Sequence, residues 1–337
     1  MPPKQMLQRK PRKSSIGGSS SEGEASPKRI HGPLTKMAPA RLYETLKQFV
    51  MSTDQLLNNG YPALYPNGVA TIPPTPYNRG GFIQNSDPTR RCIRCATVFS
   101  LDAPPTTCSY HFRAQTHPET GSKYHPCCFE EPGSSDGCMT HHCHVFTSSF
   151  GDTLHQFKTT PFENGEADYR SRKVYGIDTE LVYTLNGMEV ARVSLVDMKG
   201  RVIMDQYVMP QYQVVDFNTA FSGVEPEHLE NAISLEEART QLFQYINENT
   251  ILVGHSLEMD LKGLRIAHRT IIDTAVLFSN GMDTPKSAFS PRKPALRALV
   301  SEFLDRNIQG SETGHCSTED ARACMDLLGK RFELMTL

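Results

Sequence analysis

Two carboxylate residues are spaced so that one β-strand would place both side chains on the same face. Asp178 and Glu180 are two residues apart at the end of a β-rich run, and strand side chains alternate between faces, so both would point the same way. Carboxylates held on one face repel each other, and a hard cation such as Mg²⁺ relieves that repulsion in proteins. A solvent-facing acidic pair at a sheet edge is the alternative interpretation.

Three further residues offer related chemistry. Asp260 follows a second apolar run and would lie in the first turns of a helix, where a carboxylate also interacts favourably with the helix dipole. Asp320 follows Ser317 by three residues, which is the spacing of a helix capping box. His315 would lie in the loop before that helix. It is either an ordinary loop histidine or, because imidazole has an ordinary pKa of about 6.5, a proton acceptor near neutral pH.

A stretch rich in cysteine and histidine carries a second kind of chemistry. Seven of the nine cysteines and six of the twelve histidines lie between residues 92 and 144. The pair Cys92 and Cys95 is followed, after twelve intervening residues, by Cys108 and His111, a spacing that suits one tetrahedral zinc site. A second group of candidate ligands comprises Cys127, Cys128, Cys138 and His144, with His141, His142 and Cys143 as competitors.

The predicted role of zinc in this stretch is structural, because every ligand is needed to close the sites. Whether the stretch binds one zinc ion or two stays open, and a set of buried free thiols is the alternative interpretation. The neighbouring Arg90, Arg91 and Arg94 are either RNA contacts or solvated side chains.

The elements that would position the carboxylates and His315 lie in residues 172–335. A group of strands comes first, and strands then alternate with helices, which predicts an α/β domain with a mixed sheet covered by helices. The predicted elements are a first strand from Val174, a hairpin over 189–197 and 201–208, a helix capped by Ser234 with Glu237 that reaches about Asn247, a strand over 250–254, a strand or buried helix over 271–278, and helices over 294–305 and 318–334.

The rest of the chain divides by composition. Residues 1–40 carry eight basic and two acidic side chains and are rich in Ser, Gly and Pro, which predicts a disordered basic tail. Its cluster Lys10-Pro11-Arg12-Lys13 indicates nuclear targeting or contact with nucleic acid, and a solvated tail without either role is the alternative. Residues 41–90 are predicted to form one helix over 41–57 followed by an irregular linker, and residues 91–146 form the Cys/His module.

Composition argues against two classes of protein. The formal net charge is -2, and no run approaches the roughly 20 apolar residues of a membrane helix, so we expect no membrane association. The basic N-terminal residues are not followed by an apolar core, so we expect no secretory signal. Nine cysteines in such a chain are expected to be reduced thiols or metal ligands rather than a disulfide framework.

Several short motifs occur in one order along residues 172–332: Ile177 to Thr184, Arg192 to Asp197, Asp216 to Thr219, Phe221 to Gly223, Gly254 to Glu258 and Ser317 to Ala321. With the four residues between His315 and Asp320, they resemble the DEDDh 3′–5′ exonucleases, and more closely the eukaryotic Rex-type RNA exonucleases, including the GOR-antigen-like branch. Departures from the family pattern at Thr179, Leu181 and Met259 remove no candidate ligand. The Cys/His stretch is similar to the segment that precedes the exonuclease domain in Rex-type proteins.

The resemblance implies an RNase H-like fold and a metal-dependent 3′–5′ exoribonuclease that releases nucleoside 5′-monophosphates from RNA with a free 3′ end. It implies two catalytic Mg²⁺ or Mn²⁺ ions. Asp178, Glu180 and Asp320 would hold the first ion, and Asp178 with Asp260 would hold the second. His315 would be the general base. All five residues are therefore the expected catalytic set.

Alternatives stand beside this expectation. A 3′–5′ DNA exonuclease is one, since no residue type in the sequence reads a 2′-hydroxyl unmistakably. A catalytically idle RNA-binding or scaffold protein is another. Asp273 is expected to lie outside the metal set, and Leu181, Val182, Tyr183 and Phe221 either contact terminal bases or pack in the core. We expect a nuclear location, with the cytoplasm as the alternative.

Overall fold

The computed structural model describes residues 33–64, 70–73, 88–112, 114–117, 119–147, 151–165, 167–279, 293–310 and 314–336. The predicted disorder of residues 1–32 and most of the predicted linker therefore lie outside the described residues. Residues 33–40, which we placed in the basic tail, form a 3₁₀ helix over Pro33–Lys36 and the start of the first α-helix. Among the described residues, none of the helices has the length and apolar character needed to cross a membrane.

The N-terminal half is made of short elements. Strands of two or three residues pair into small antiparallel two-stranded sheets in the Cys/His module. The elements are α1 (Pro39–Lys47), α2 (Thr53–Asn58), β1 (Ala63–Leu64), β2 (Ala70–Thr71), β3 (Thr89–Arg91), β4 (Val98–Ser100), β5 (Cys108–Tyr110), β6 (Gln115–Thr116), β7 (Lys123–Tyr124), β8 (Met139–His141), the 3₁₀ helix Gly151–Gln156 and β9 (Lys158–Thr159).

The C-terminal half is built on one mixed sheet. Its elements are β10 (Val174–Thr184), β11 (Gly187–Asp197), β12 (Val202–Met209), β13 (Val214–Asp216), α3 (Thr219–Ser222), the 3₁₀ helix Pro226–Leu229, β14 (Ile233–Ser234), α4 (Leu235–Leu242), β15 (Ile251–Gly254), α5 (Glu258–Leu264), β16 (Ile266–Ala267), β17 (Ile271–Asp273), α6 (Thr274–Leu277), α7 (Leu296–Leu304) and α8 (Ser317–Thr336). The strand order is β14-β12-β11-β10-β15-β17, with β13 paired to the far end of β10. Strands β10, β11 and β12 are antiparallel, whereas β15 and β17 run parallel to β10.

Helices cover both faces of this sheet, because both faces of its central strands are apolar. Along β15, the fully buried Ile251 and Val253 pack in a core with α7 and α8, whereas Leu252 between them packs in the opposite core with α4 and α5. Alternation of buried side chains on both faces is the pattern of a sheet covered on both sides. The mixed sheet and its covering helices confirm the predicted α/β, RNase H-like fold class.

The segment before the Cys/His module belongs to the core of the C-terminal domain. Leu34 and Leu46 pack against α8 on one face of the sheet, and Tyr61 packs in the core on the other face. Between them, the backbone N–H of Met51 donates to the carbonyl of Ile271 at 2.9 Å, so the chain passes around the β17 edge. The single helix predicted over 41–57 is wrong, because α1 ends at Lys47 and a separate capping box begins α2.

Most predicted elements of the C-terminal domain are found, with shifted ends. The hairpin predicted over 189–208 is the β11–β12 pair, and the run at 271–278 is a strand followed directly by a helix. Ser234 does accept a hydrogen bond from the backbone N–H of Glu237, but α4 ends at Leu242 rather than near Asn247. The helix predicted over 318–334 is α8, which extends to Thr336.

Helix α8 approaches strand β10 at Gly176, two residues before Asp178. A Cβ atom at Gly176 would lie 2.8 Å from the carbonyl oxygen of Ala321 and 2.8 Å from Cγ of Met325. Contacts of that length leave no room for a methyl group, so only glycine lets the helix lie this close to the strand. The close approach sets the distance between the two elements that carry candidate ligands.

We predict that Gly176→Ala lowers the free energy of unfolding by about 1–3 kcal/mol, since the added methyl forces α8 away from β10. Gly329→Ala on the same helix is the matched control, because a Cβ there meets nothing within 4 Å. That control should leave stability unchanged or raise it by up to about 1 kcal/mol. Urea unfolding of both variants checks the prediction, and equal stability of the two would contradict it.

Candidate active site

Strand β10 places Asp178 and Glu180 in the middle of the sheet. Their neighbours across the β10–β11 ladder are Ser194 and Arg192, and β15 pairs with β10 on the other side. Glu180 is only 5% exposed and Asp178 is partly buried. The alternative of a solvent-facing acidic pair at a sheet edge is therefore excluded.

Asp260 reaches the same strand from helix α5. Its Oδ1 atom accepts hydrogen bonds from the backbone N–H of Thr179 at 2.8 Å and from the Thr179 hydroxyl at 2.7 Å. Thr179 is one of the departures from the family pattern, and here its hydroxyl ties α5 to β10. Asp260 is 6% exposed, so this carboxylate is buried between helix and strand.

Asp320 comes from the first turn of α8 and is 4% exposed. Its Oδ2 atom accepts a hydrogen bond from the side-chain amide of Gln309 at 2.7 Å. The capping-box interpretation is wrong, because Ser317 lies inside α8 and the backbone N–H of Asp320 donates to the carbonyl of Cys316 at 3.0 Å. The Ser317 hydroxyl pairs with Ser194 at 2.7 Å instead. The start of α8 thus contacts β10 and β11 instead of capping itself.

Two buried carboxylate oxygens in this group have no hydrogen-bond partner, namely Oε1 of Glu180 and Oδ1 of Asp320. An unpartnered buried carboxylate oxygen is costly, and cation binding is one of the few ways to satisfy it. Among the described residues, every set of three or more ligand atoms within 4.8 Å of one another lies in the Cys/His module, so no three of the four carboxylates meet that spacing. Oxygen ligands of this kind fit hard cations such as Mg²⁺ or Mn²⁺.

The pKa values of all four carboxylates are raised, and burial is the largest cause for each. Burial, and then the charges of Asp260, Asp320 and Glu180, raises the pKa of Asp178 well above its ordinary value. Burial and then the charge of Asp320 raise the pKa of Glu180 to about 8. Burial also raises the pKa of Asp260 to about 7 and that of Asp320 to about 6, although hydrogen bonds from Thr179 and Gln309 act in the opposite direction. A bound divalent cation would reverse these shifts.

His315 lies in the loop immediately before α8. Burial, with a smaller contribution from the positive charge of Arg297, lowers the pKa of His315 below its ordinary value. The imidazole is therefore neutral at neutral pH and able to accept a proton. Its backbone N–H donates to the carbonyl of Phe221 at 2.9 Å, and its ring lies edge-to-face with the Phe221 ring at 6.0 Å.

The predicted base-contacting side chains have different surroundings. Val182 and Tyr183 are buried at 0% and 7% exposure and pack in the core, whereas Phe221 is 47% exposed beside His315. Leu181 is partly buried against the core between the sheet and α5. Asp273 accepts hydrogen bonds from the Tyr61 hydroxyl and from the backbone N–H groups of Ser256 and Ala275, so its oxygens are occupied within the protein.

The Cys/His module contains two groups of four ligand atoms, each within 4.8 Å of one another. The first group is Cys92, Cys95, Cys108 and His144, and the second is His111, Cys127, Cys128 and Cys138. Sγ of Cys95 lies 3.3 Å from Nδ1 of His144, and Sγ of Cys128 lies 3.5 Å from Nδ1 of His111. Four thiolate and imidazole ligands at such separations fit a tetrahedral zinc ion.

The pairing inferred from sequence spacing is therefore wrong for the two histidines, which exchange places. The reason is the antiparallel β5–β8 pair, in which Cys108 faces His141 and Tyr110 faces Met139. This register brings the end of β8, and with it His144, towards Cys108. It brings the opposite end of β8, and with it Cys138, towards His111. Strand register is a tertiary property that the spacing of ligands along the chain does not contain.

The competing ligands His141, His142 and Cys143 form a third group, made of consecutive residues, with ligand atoms within 4.8 Å of one another. Nε2 of His141 lies 3.3 Å from a carboxylate oxygen of Asp216, so this imidazole faces the C-terminal domain.

The three arginines of the module have different environments. Arg90 is 5% exposed, with its guanidinium 5.4 Å from the centre of the Phe146 ring. Arg94 pairs with Asp216 at 2.5 Å, and Arg91 is exposed. The sequence did not indicate Asp216 as a partner of the module, because Asp216 lies more than a hundred positions after Arg94.

The chain is similar in sequence to known exonucleases. A family model described as an exonuclease matches residues 176–328. The chain is 35% identical to Exonuclease GOR of Pan troglodytes, over 89% of this chain and 44% of that protein. It is 34% identical to RNA exonuclease 1 homolog of Homo sapiens, over 86% of this chain and 24% of that protein. The chain therefore spans less than half the length of these two relatives.

A third relative is covered more completely. The chain is 32% identical to RNA exonuclease 3 of Eremothecium gossypii over 89% of this chain and 75% of that protein. Among solved structures, the Pan2 catalytic unit of Neurospora crassa is 26% identical, with a TM-score of 0.45 over 58% of this chain and 34% of that one. From the match to three quarters of RNA exonuclease 3, this chain belongs to the Rex-type exonuclease family.

Proposed function

We propose that this chain is a metal-dependent 3′–5′ exoribonuclease that releases nucleoside 5′-monophosphates from RNA with a free 3′ end. The observation that carries the proposal is the grouping of the partly buried Asp178 with the buried Glu180, Asp260 and Asp320. Glu180 and Asp320 each keep one oxygen without a hydrogen-bond partner. Two of the relatives described above are named RNA exonucleases, which supports RNA as the substrate class.

Residues of this chain would hold two cations in the proposed site. Asp178, Glu180 and Asp320 would hold one ion, and Asp178 with Asp260 would hold the other. Divalent cations supply positive charge at a phosphodiester, which makes the phosphorus more electrophilic and stabilises the leaving 3′ oxygen. The hydrogen bonds from Thr179 and Gln309 would orient Asp260 and Asp320 for this role by fixing one oxygen of each.

His315 would act as the general base in the hydrolysis. Its neutral imidazole takes a proton from the attacking water, and the resulting hydroxide oxygen forms a bond to the terminal phosphorus. The bond from phosphorus to the 3′ oxygen of the preceding nucleotide breaks. That oxygen takes up a proton, which leaves a new 3′ end and a free nucleoside 5′-monophosphate. Because Phe221 is exposed beside His315, it lies where the terminal base would enter.

For the Cys/His module we propose two structural zinc ions, one in each group of four ligands. All four ligands of each group come from this chain, so each site would be closed to substrate, as structural zinc sites are. The strands of the module are two or three residues long, so metal binding would supply the stability that a small apolar core cannot.

The first prediction concerns the carboxylates. Asp178→Asn should lower the rate of RNA hydrolysis by at least about 100-fold, because one carboxylate shared by both cations is lost. The measurement is the degradation of single-stranded RNA and DNA of one sequence, each with a free or a blocked 3′ end, in Mg²⁺ or Mn²⁺. Asp305→Asn is the matched control, since Asp305 is exposed and asparagine suits its left-handed backbone.

A normal rate for Asp178→Asn would contradict the metal assignment. Equal cleavage of DNA would support the alternative of a DNA exonuclease, and cleavage of RNA with a blocked 3′ end would contradict the proposed direction. No cleavage of either nucleic acid by the folded wild-type chain would support a binding or scaffold role instead.

A second prediction concerns pH. The pKa of Glu180 is raised from an ordinary 4.5 to about 8, so the folded state binds a proton more tightly than the unfolded chain does. Unfolding therefore releases protons between these pH values, and stability should fall as pH rises from about 5 to about 8 in Mg²⁺-free buffer. Glu180→Gln should show a shallower fall. Thermal melting at each pH gives the dependence of stability on pH for wild type and for Glu180→Gln. Equal dependences for the two would contradict the raised pKa of Glu180.

The third prediction separates the two ways of pairing the zinc ligands. The double variant Cys108→Ser with His144→Ala should lose one zinc ion per chain, because both ligands belong to one group in the structure. The double variant Cys108→Ser with His111→Ala should lose both ions. Zinc content after dialysis, measured by native mass spectrometry, gives the count. The opposite pattern would restore the pairing inferred from spacing.

A further inference from the structure

The Cys/His module and the C-terminal domain share a small apolar core. Val145 of the module is 1% exposed and packs with Cys143 and with Tyr183 of β10, which is 7% exposed. Val215 of β13 lies at the margin of the same cluster. The module is therefore packed against the sheet at the β13 side of β10.

Arg94 extends from the first group of metal ligands into this contact. It lies next to Cys95, and its guanidinium is between the rings of Tyr110 and Tyr183, at 5.0 and 5.2 Å from their centres. One nitrogen donates to Oδ2 of Asp216 at 2.5 Å, and the two side chains are only 13% and 14% exposed. A guanidinium held between two rings and paired with a carboxylate has a fixed position. It is not available as a solvated cation for RNA.

Asp216 begins the bridging segment, by which we mean residues 216–222, comprising the end of β13 and helix α3. Oδ1 of Asp216 accepts a hydrogen bond from the backbone N–H of Asn218 at 2.7 Å. Asn218 has a left-handed backbone with φ of 53° and precedes α3 directly. A second nitrogen of Arg94 reaches its side-chain oxygen at 3.4 Å. Arg94 therefore holds the turn from which α3 starts.

A chain neighbour of the second group of metal ligands also contacts the bridging segment. Phe112, the neighbour of His111, lies edge-to-face with Phe221 at 6.2 Å between ring centres. The backbone carbonyl of Phe112 lies 2.9 Å from Nδ1 of His125, whose ring stacks on His111 at 4.2 Å. Each metal group thus has a chain neighbour in contact with residues 216–222.

The opposite side of the bridging segment contacts the loop that carries His315. The Phe221 carbonyl accepts the backbone N–H of His315, and the two rings are in contact. Gly314, with φ of 95°, lies so close to the segment that a Cβ there would be 2.2 Å from the carbonyl oxygen of Thr219. Backbone atoms of the two loops therefore fix one another, and a displaced segment would displace His315.

We propose that the Cys/His module is part of the active site, because Arg94 and Phe112 position the general base His315 through the bridging segment. This inference rests on the proposed hydrolysis and assigns Arg94 as a positioning residue rather than an RNA ligand. The expected signature is a loss of turnover without a loss of substrate affinity.

The experiment compares the full-length chain with the variant Arg94→Gln on single-stranded RNA with a free 3′ end in Mg²⁺. Misplacing a catalytic group by about 1 Å lowers rates by up to about 100-fold, so we expect kcat to fall by about 10- to 100-fold with KM within about twofold. Lys123→Gln is the matched control, because Lys123 is an exposed cation of the same module and should leave both constants unchanged.

A double-mutant cycle tests whether Arg94 acts through His315. In a His315→Ala background, Arg94→Gln should change kcat by less than about twofold, since the base whose position it sets is absent. Asp216→Asn should reproduce the loss of turnover with the module itself unchanged, so it serves if Arg94→Gln folds poorly. An unchanged kcat in both variants, an equal further loss in the His315→Ala background, or a raised KM alone would each overturn the proposal.

One readout does not depend on activity. Amide hydrogen exchange at residues 216–222 and at His315 should quicken in Arg94→Gln relative to wild type, with zinc content unchanged. If the wild-type chain hydrolyses no RNA, the proposed function fails while this measurement still tests the structural coupling. Unchanged exchange at these residues would overturn the coupling itself.

Discussion

The structure depends on the burial of four carboxylates around one space. Asp178, Glu180, Asp260 and Asp320 come from a strand and two helices, and burial raises the pKa of each. The cation that acts on Glu180 is Arg192, but Arg192 is committed to Asp205 through two hydrogen bonds of 2.8 and 2.7 Å. The groups that hold the carboxylates are otherwise neutral donors such as Thr179 and Gln309. Negative charge gathered without a matching side chain is what a site for divalent cations requires.

Such a site is unfavourable for folding, because an uncompensated buried charge costs several kcal/mol. The surrounding sheet offsets that cost with fully buried side chains on both faces, including Ile177 between Gly176 and Asp178. Gly176 allows α8 to lie directly against β10, and Thr179 ties α5 to the same strand. The residues between and beside the carboxylates therefore hold α5 and α8 against β10.

Much of this site could be predicted from the sequence, because its signals are local. The alternation of side chains on a strand predicted that Asp178 and Glu180 share a face, and apolar periodicity predicted the sheet and α8. The errors share a physical cause, which is that tertiary contacts override local patterns. Ser317 has the spacing of a capping residue, yet its hydroxyl pairs with Ser194 and the backbone N–H of Asp320 donates to the carbonyl of Cys316. The pairing of His111 and His144 follows the β5–β8 register, and spacing along the chain carries no information on register.

The contact between the Cys/His module and the C-terminal domain was not predictable from the sequence, because it too depends on tertiary contacts. Arg94 and Asp216 are far apart in the sequence, and each alone is an ordinary charged residue, Arg94 in a turn and Asp216 at the end of β13. Their pairing follows from the short module, whose two- and three-residue strands cannot bury enough apolar surface to fix a side chain by themselves. Zinc ions in the two proposed sites would fix the backbone within one residue of Arg94 and of Phe112. Under that proposal, metal binding in the module and the position of the loop that carries His315 would be coupled.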